Sequence, residues 1–359
     1  MKKRTLFKQM AGALISASLV FGAQATQAED VNVGFVYVGP VGDHGWTYRH
    51  DEGRKAVEEA LGVKTTFVES VAEGADAERV IRTLATSGNN LIFTTSFGYM
   101  NPTIKVAKQF PNVKFEHATG YKRADNVSTY SARFYEGRAI LGTIAGHMSK
   151  TGVVGYVASF PIPEVVRGIN AFMIAMRKVN PDAIIKVVWV NSWYDPGKEG
   201  DAAKALIDQG ADIITQHTDS PAPLQVAEQR GVHAFGQASD MSAFAPKAQL
   251  TAIIDDWNPY YVARVKAAME GNWESMDTWD GLKSGMVAMA PYGDAVPENV
   301  RAEADAVRDG IIDGSLHPFQ GPIKNQAGEV VVAEGETLDD GALLGMDWYV
   351  EGVQGQLPK

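Results

Sequence analysis

The sequence predicts an α/β protein of two lobes, each a parallel sheet packed with helices, joined at a hinge. Three observations carry that expectation. Short apolar runs of strand length alternate with helical stretches along most of the chain, the order that right-handed βαβ units and parallel sheets require. The order of elements occurs twice, breaking off and restarting near residue 134. The length of 359 residues, less an N-terminal leader, suits two lobes of ~150 residues each better than one core.

The leader comes first. Lys2, Lys3, Arg4 and Lys8 precede an apolar stretch from Met10 to Phe21, and small residues lead to Ala28 before Glu29. That is the layout of a cleaved secretory signal, too short in its apolar part to cross a bilayer. Cleavage is expected between Ala28 and Glu29, with Ala25 as the alternative site, and the mature protein is placed in the periplasm. The run VNVGFVYV at 31–38 is β-branched and almost continuously apolar, as strands buried on both faces are. A Gly-rich turn, GPVGDHG, then leads into a helix at 48–61. Strands follow at 64–70, 90–96, 113–119 and 127–133, with helices at 75–87 and 102–110 between them.

The second series opens with a helix at 136–150 and a strand at 152–159. In the next helix Val165, Ile169, Phe172, Met173, Met176 and Val179 recur at three- and four-residue steps, the stripe of a core-facing helix. Strands at 184–191, 212–216, 232–236 and 250–254 are separated by helices at 198–209 and 223–230. Beyond residue 255 the pattern loosens into helices at 260–270 and 298–314 and a hairpin at 321–332 turning at 325–328. The expected division is a signal at 1–28, a first lobe at 29–133 joined by part of 256–285, and a second lobe at 134–255 joined by part of 286–359.

Composition narrows the function. There is no cysteine, so neither disulfides nor an N-terminal lipid on a cysteine is available, and stability must come from a buried core. A protein that is not membrane-anchored is therefore expected, and a monomer. Removing the four cations of the leader takes the formal charge from −10 to −14, which argues against nucleic acid or anionic lipid as a partner. No Walker loop, HExxH or GxSxG occurs, and the Gly39, Gly42 and Gly45 spacing is not the dinucleotide fingerprint. The seven histidines are scattered without metal-ligand spacing, and His50-Asp51-Glu52 reads more readily as a polar helix face than as a metal site. No enzyme, no cofactor and no metal are expected.

In open α/β sheets ligands lie at the carboxyl ends of strands, so the loops after the strands hold the candidate site. These carry Asp43 to Tyr48, Phe97 to Met100, His117, Phe160, Asn191 to Asp195, His217 to Asp219, Gln237 to Asp240 and Asp255 to Asn258. Aromatic and short polar residues recur among them. Aromatic faces stack on flat rings, while Asp, Asn and Gln read donors and acceptors. Trp46 and Trp193, one in each lobe, are the candidates for a clamp on a planar ligand; the alternative for each is packing against its own lobe. Asp43, Thr47, Phe97, Tyr99, His117 and Phe160 are candidate neighbours. Asp240 in GQASD and Lys283 in TWDGLKSG are candidate polar contacts, each also readable as a surface charge.

Gly42-Asp43-His44-Gly45-Trp46 after the first strand resembles the G-D-x-x-F-N motif of the basic membrane protein (BMP/Med) family of ABC-transporter substrate-binding proteins. Pro163-Glu164-Val165 with Gly168, Ser192-Trp193-Tyr194-Asp195 with Lys198, Gly236 with Asp240, Gly281-Leu282-Lys283 and Gly321-Pro322-Ile323 extend the resemblance in order over nearly the whole mature chain. It implies a two-lobed type I periplasmic-binding-protein fold. It also implies a purine nucleobase or nucleoside stacked between Trp46 and Trp193 as the lobes close, with ribose contacts on Asp240 and Lys283. The implied partners are an inner-membrane ABC permease and its ATPase. Trp46-Thr47 replaces the family's Phe-Asn, and His117 falls near a position that is often acidic, so base and ribose preference are not carried over. The rival readings are a sensory ligand-binding protein of the same fold and a receptor for a sugar or other small polar solute.

Overall fold

The computed structural model describes residues 30–358, so the leader and its cleavage site lie outside the described residues. The chain opens with β1 (Val33–Val36), α1 (Gly45–Leu61), β2 (Thr65–Val68), α2 (Ala75–Thr86) and β3 (Leu91–Thr94). A 3-10 turn at Phe97–Tyr99 runs into α3 (Met100–Ala107), followed by β4 (Lys114–Ala118) and β5 (Val127–Ala132). The side chains alternate between two cores, as a strand buried on both faces must. Phe35 and Phe93 point into the cluster shared with α1 and the second lobe, while Val36 and Ile92 join the cluster under α2 and α3.

The chain then crosses to a second sheet. Here α4 (Phe134–Met148), β6 (Val153–Ala158), α5 (Pro163–Val179), β7 (Ile184–Trp189), α6 (Pro196–Asp208), β8 (Ile213–His217), α7 (Ala222–Arg230), β9 (His233–Gly236) and β10 (Gln249–Asp255) follow in turn. Helices α4 and α5 pack tightly because Gly142 and Gly146 present no side chain; a Cβ at Gly142 would lie 2.2 Å from the Phe172 carbonyl oxygen. The chain crosses back for α8 (Asn258–Met269), which packs on α1, and for β11 (Asp277–Asp280), which pairs in parallel with β5. It returns a third time through a 3-10 turn at Leu282–Ser284 to β12 (Val287–Met289), antiparallel to β10, and α9 (Glu298–Asp313) against α4.

The remaining residues form the hairpin β13 (Ile323–Lys324) and β14 (Val330–Val332), the short α10 (Asp340–Leu344), and β15 (Val353–Gln354) beside β7. Strand order is β11-β5-β4-β3-β1-β2 in the first sheet and β12-β10-β9-β8-β6-β7-β15 in the second. Within these two sheets every pair is parallel except β10 with β12. Two parallel α/β lobes joined by three crossings match the fold class read from the sequence. Helix starts differ by two or three residues: α1 begins at Gly45 rather than 48, and α4 at Phe134 rather than 136.

The first lobe carries a buried ion pair that fixes α8 to the sheet. Glu116, fully buried on β4, accepts from Arg264 Nε at 2.6 Å, Trp273 Nε1 at 2.6 Å and Tyr260 Oη at 2.7 Å. With these donors in place its carboxylate has lost water but not its hydrogen bonds.

Candidate functional site

Backbone strain marks the ends of the strands. Among the described residues the non-glycine positions with positive φ are Ser70, Thr119, Asn191 and Ala238, each one or two residues past β2, β4, β7 and β9. A β-branched Thr119 in that region is costly, and such residues gather where a loop is held for function. The loops so shaped face each other across the space between the lobes.

A narrow cleft between the lobes is lined by Val38, Trp46, Ser96 and Phe97 of the first lobe and Glu164, Trp193, His217, Asp219 and Gln237 of the second. The indole N–H groups are already used. Trp46 Nε1 donates to the Thr95 carbonyl at 2.6 Å, and Trp193 Nε1 donates to Glu73 Oε1 at 3.0 Å. What the two tryptophans leave for a ligand is therefore their π-faces. Trp46 is braced edge-on by His50, Phe134 and Trp257, at ring centroid distances of 4.4, 6.0 and 5.6 Å. Phe160 packs at 5.0 Å against Trp193 and is not among the residues that line the cleft.

The loop after β8 is built by its own polar residues. Gln216 Nε2 donates to the Thr218 and Ser220 carbonyls, and buried Glu199 on α6 accepts from Ser220 N and Oγ at 3.0 and 2.6 Å. This delivers Asp219 to the N-terminus of α1, where Trp46 N donates to its Oδ1 at 3.4 Å. Loss of water, reinforced by nearby Glu199, pushes the Asp219 carboxyl up to about 8. His217, the last residue of β8, has Nε2 3.4 Å from Glu164 Oε1, and its Nδ1 is buried without a protein partner. Burial depresses its pKa, so the ring is neutral.

The lobes touch in this arrangement. Gly45 N donates to Ser239 Oγ at 2.7 Å, His44 packs edge-on against Phe244 at 4.9 Å, and Glu73 reaches Trp193. The site is thus closed over its cleft.

Of the residues read from the sequence, Trp46, Phe97 and Trp193 come together here. Thr47 lines an adjoining crevice with Tyr194 and Asp219, its hydroxyl accepting from Gly39 N at 3.3 Å. The others lie elsewhere. Tyr99 is fully buried, its hydroxyl donating to the Val71 carbonyl, so it is a core residue of the first lobe. His117 is also fully buried, with Nδ1 on Thr94 Oγ1 at 2.9 Å; strand alternation turns it beneath the sheet end rather than into the cleft. Asp43 is 77% exposed and pairs with His44. Asp240 is exposed and spends one oxygen on its own loop, accepting from Ser242 N at 2.9 Å and Gln249 Nε2 at 2.7 Å. Lys283 is exposed on the 3-10 turn of the third crossing. Asp240 and Lys283 therefore do not line the cleft, and the acids that do are Glu164 and Asp219.

Glu73 went unread. It follows β2, and the rule that ligands gather at strand ends points to it. It accepts from Ser96 Oγ at 2.6 Å and Gly98 N at 3.1 Å besides Trp193. A Cβ at Gly98 would lie 2.1 Å from the Glu73 carboxyl carbon, so a larger residue there would displace this side chain. Among the described residues no group of three or more His, Asp or Glu side chains is arranged to hold a metal ion, and no helix is long and apolar enough to cross a membrane.

Comparison with known proteins gives the cleft its context. Residues 30–315 match the model of the Bmp family, described as ABC transporter substrate-binding protein, PnrA-like. The chain is 59% identical over 345 residues to a purine-binding protein of Brucella abortus, covering 96% of this chain and 98% of that one. It is 38% identical over 338 residues to a putative ABC transporter glucose-binding protein of Haloferax volcanii, covering 94% and 84%. In fold it resembles a solute-binding protein of an ABC transporter system from Aeropyrum pernix, with a TM-score of 0.70 at 20% identity over 82% of this chain and 93% of that one. A second such structure, from Conexibacter woesei, has a TM-score of 0.65 at 23% identity, covering 80% and 98%.

Proposed function

The chain belongs to the Bmp family of PnrA-like ABC-transporter substrate-binding proteins, and on that premise we propose that it is a periplasmic receptor that captures a free purine base and presents it to an inner-membrane ABC permease. The observation that carries this reading is one cleft lined by Trp46, Phe97 and Trp193 from both lobes, with carboxylates at its edge. Flat aromatic faces whose N–H groups are already bonded favour a flat aromatic ligand. The 59% identity to a purine-binding protein over almost the whole chain supports the same class.

The free base is favoured over the nucleoside because a ribose needs hydroxyl-binding groups beside the ring. Asp240 holds its own loop and Lys283 is exposed. Substrate-binding proteins of this family bind and release their ligand without chemical change, and closure of the two lobes is the signal that the permease reads. With no cysteine in the sequence, no thiol is available to carry an N-terminal lipid, which supports a receptor free of the membrane.

Isothermal titration of the mature protein with purine bases, their nucleosides and glucose tests the assignment. Bases are expected to bind more tightly than nucleosides. Trp193→Ala is expected to weaken base binding about 5- to 150-fold, since stacking one base on an aromatic ring is worth ~1–3 kcal/mol. The 38% identity to a putative glucose-binding protein supports a sugar as the second reading. Binding of glucose alone would establish it and remove the purine.

A further inference from the structure

Resting on the purine reading above, we propose that Gln237 is the fixed hydrogen-bond donor of the cleft, reading an unprotonated ring nitrogen of the base with its amide NH2, and that Arg138 is the positioning residue that holds the amide that way round.

Donors are scarce among the side chains that line the cleft. The indole N–H groups of Trp46 and Trp193 are bonded within the protein. Ser96 Oγ donates to Glu73, so only its lone pairs remain. Glu164 brings carboxylate oxygens, and His217 turns Nε2 toward one of them at 3.4 Å. Asp219 can donate while it holds a proton, which it loses as pH rises through about 8. Gln237 carries a donor that no pH removes.

What fixes that amide is Arg138, a residue of α4 that is fully buried. Its Nη1 donates to Thr215 Oγ1 at 3.3 Å, and its Nη2 donates to the Gln216 carbonyl at 2.8 Å and to Gln237 Oε1. The guanidinium carbon stands 5.4 Å from the centre of the Tyr156 ring. A guanidinium has donors only, so an amide that meets it must turn its oxygen that way. Oxygen and nitrogen lie on opposite sides of the amide carbon, which directs Nε2 away from Arg138. Nε2 makes no hydrogen bond with any described residue, and unlike Gln216 Oε1 it is not sealed from solvent. Gln237 is only 3% exposed and lines the cleft, so the opening that Nε2 reaches is the cleft.

A purine matches this arrangement. Its unprotonated ring nitrogens hold their lone pairs in the plane of the base, so one of them can meet the Gln237 NH2 edge-on while the tryptophans cover the faces. A C–H in place of that nitrogen would set hydrogen against hydrogen and leave a buried donor unpaired. An amide turned over would present its oxygen to the same lone pair and lose the discrimination. Arg138 prevents the turn, because the guanidinium would then face an NH2 with no acceptor between them.

The test is titration calorimetry against the mature protein, refolded to strip carried ligand. The parent base is whichever of adenine and hypoxanthine binds more tightly, and it is compared with its 1-, 3- and 7-deaza analogues. One analogue is expected to bind wild type at least about fivefold more weakly than the parent, because it leaves the Gln237 NH2 unpaired. Gln237→Glu keeps the shape and the acceptor for Arg138 but puts an oxygen where the NH2 was. That analogue should then bind at least as tightly as the parent. Arg138→Met frees the amide to turn over, so the ratio should shrink to less than about twofold; Arg138→Lys, which still donates, should restore it. Should Arg138→Met fail to fold in a thermal melt, Arg138→Gln takes its place, since its own amide can meet Gln237 with either end. An unchanged ratio in Gln237→Glu, or no analogue weaker than the parent in wild type, overturns the donor assignment while leaving the purine receptor intact. Equal weakening of parent and analogue by Arg138→Met is the mark of a merely structural role and overturns the positioning. Binding of neither adenine nor hypoxanthine removes the purine reading itself.

Discussion

Closing the cleft takes Asp219 out of water while Glu199 stays beside it, and both effects raise its carboxyl to about 8, against about 4 in an unfolded chain. Between those values the folded protein holds a proton that the unfolded chain has released. Stability therefore falls as pH rises through that window. Asp219→Asn removes the titration and keeps an oxygen for the Trp46 N–H. Thermal unfolding without ligand is expected to show the variant gaining on the parent from about pH 4 to about pH 8, then running parallel to it. His217, Glu164, Asp255, Arg138 and Glu199 also titrate or carry charge nearby, but they are common to both proteins. A difference in midpoint that stays flat across this range would show that Asp219 is ionised in the folded state.

At the scale of elements, the N-terminus of α1 is a point where the lobes touch. Gly45 sits at φ +78, and a Cβ on it would lie 2.7 Å from the Asp219 carbonyl oxygen of the other lobe. The residue must be small because backbone meets backbone there. Gly45→Ala is expected to cost about 1–3 kcal/mol of backbone strain and, separately, to hold the lobes apart. Ligand affinity should fall by more than about tenfold, since 1.4 kcal/mol is already a factor of ten. The thermal midpoint of the unliganded protein should move by only a few degrees. An unchanged affinity would mean that closure does not bring α1 to Asp219.

For the whole molecule, hydrogen bonds that join the lobes include Gly45 N to Ser239 Oγ, Trp46 N to Asp219 Oδ1, Trp193 Nε1 to Glu73 Oε1 and Arg49 Nε to the Asp255 carbonyl. A ligand that binds both lobes adds its contacts to these and shifts hinged lobes toward the closed arrangement. Small-angle scattering is expected to show a smaller radius of gyration when a purine base is added. Glu73→Ala should weaken binding about 2- to 10-fold, the worth of one partly exposed hydrogen bond, and leave a larger radius without ligand. No change in radius on adding a saturating ligand would rule out hinge closure as the response.

The sequence alone determined the α/β alternation, the two series of elements and the aromatic loops, because helix and strand periods and apolar runs are local properties. It placed Trp46, Phe97 and Trp193 in one cleft through the rule for strand ends. It did not reveal β11 or β15, whose residues DTWD and VQ have no apolar alternation; they are strands because β5 and β7 offer them free edges. Nor did it separate Glu164 and Asp219, which line the cleft, from Asp240 and Lys283, which do not, because that depends on how two lobes meet. Tyr99 and His117 lie at strand ends like the others, but their side chains turn into the first lobe. Which groups a ligand would meet is decided by closure across residues as far apart as Gly45 and Ser239, and no pattern along the chain records a contact at that separation.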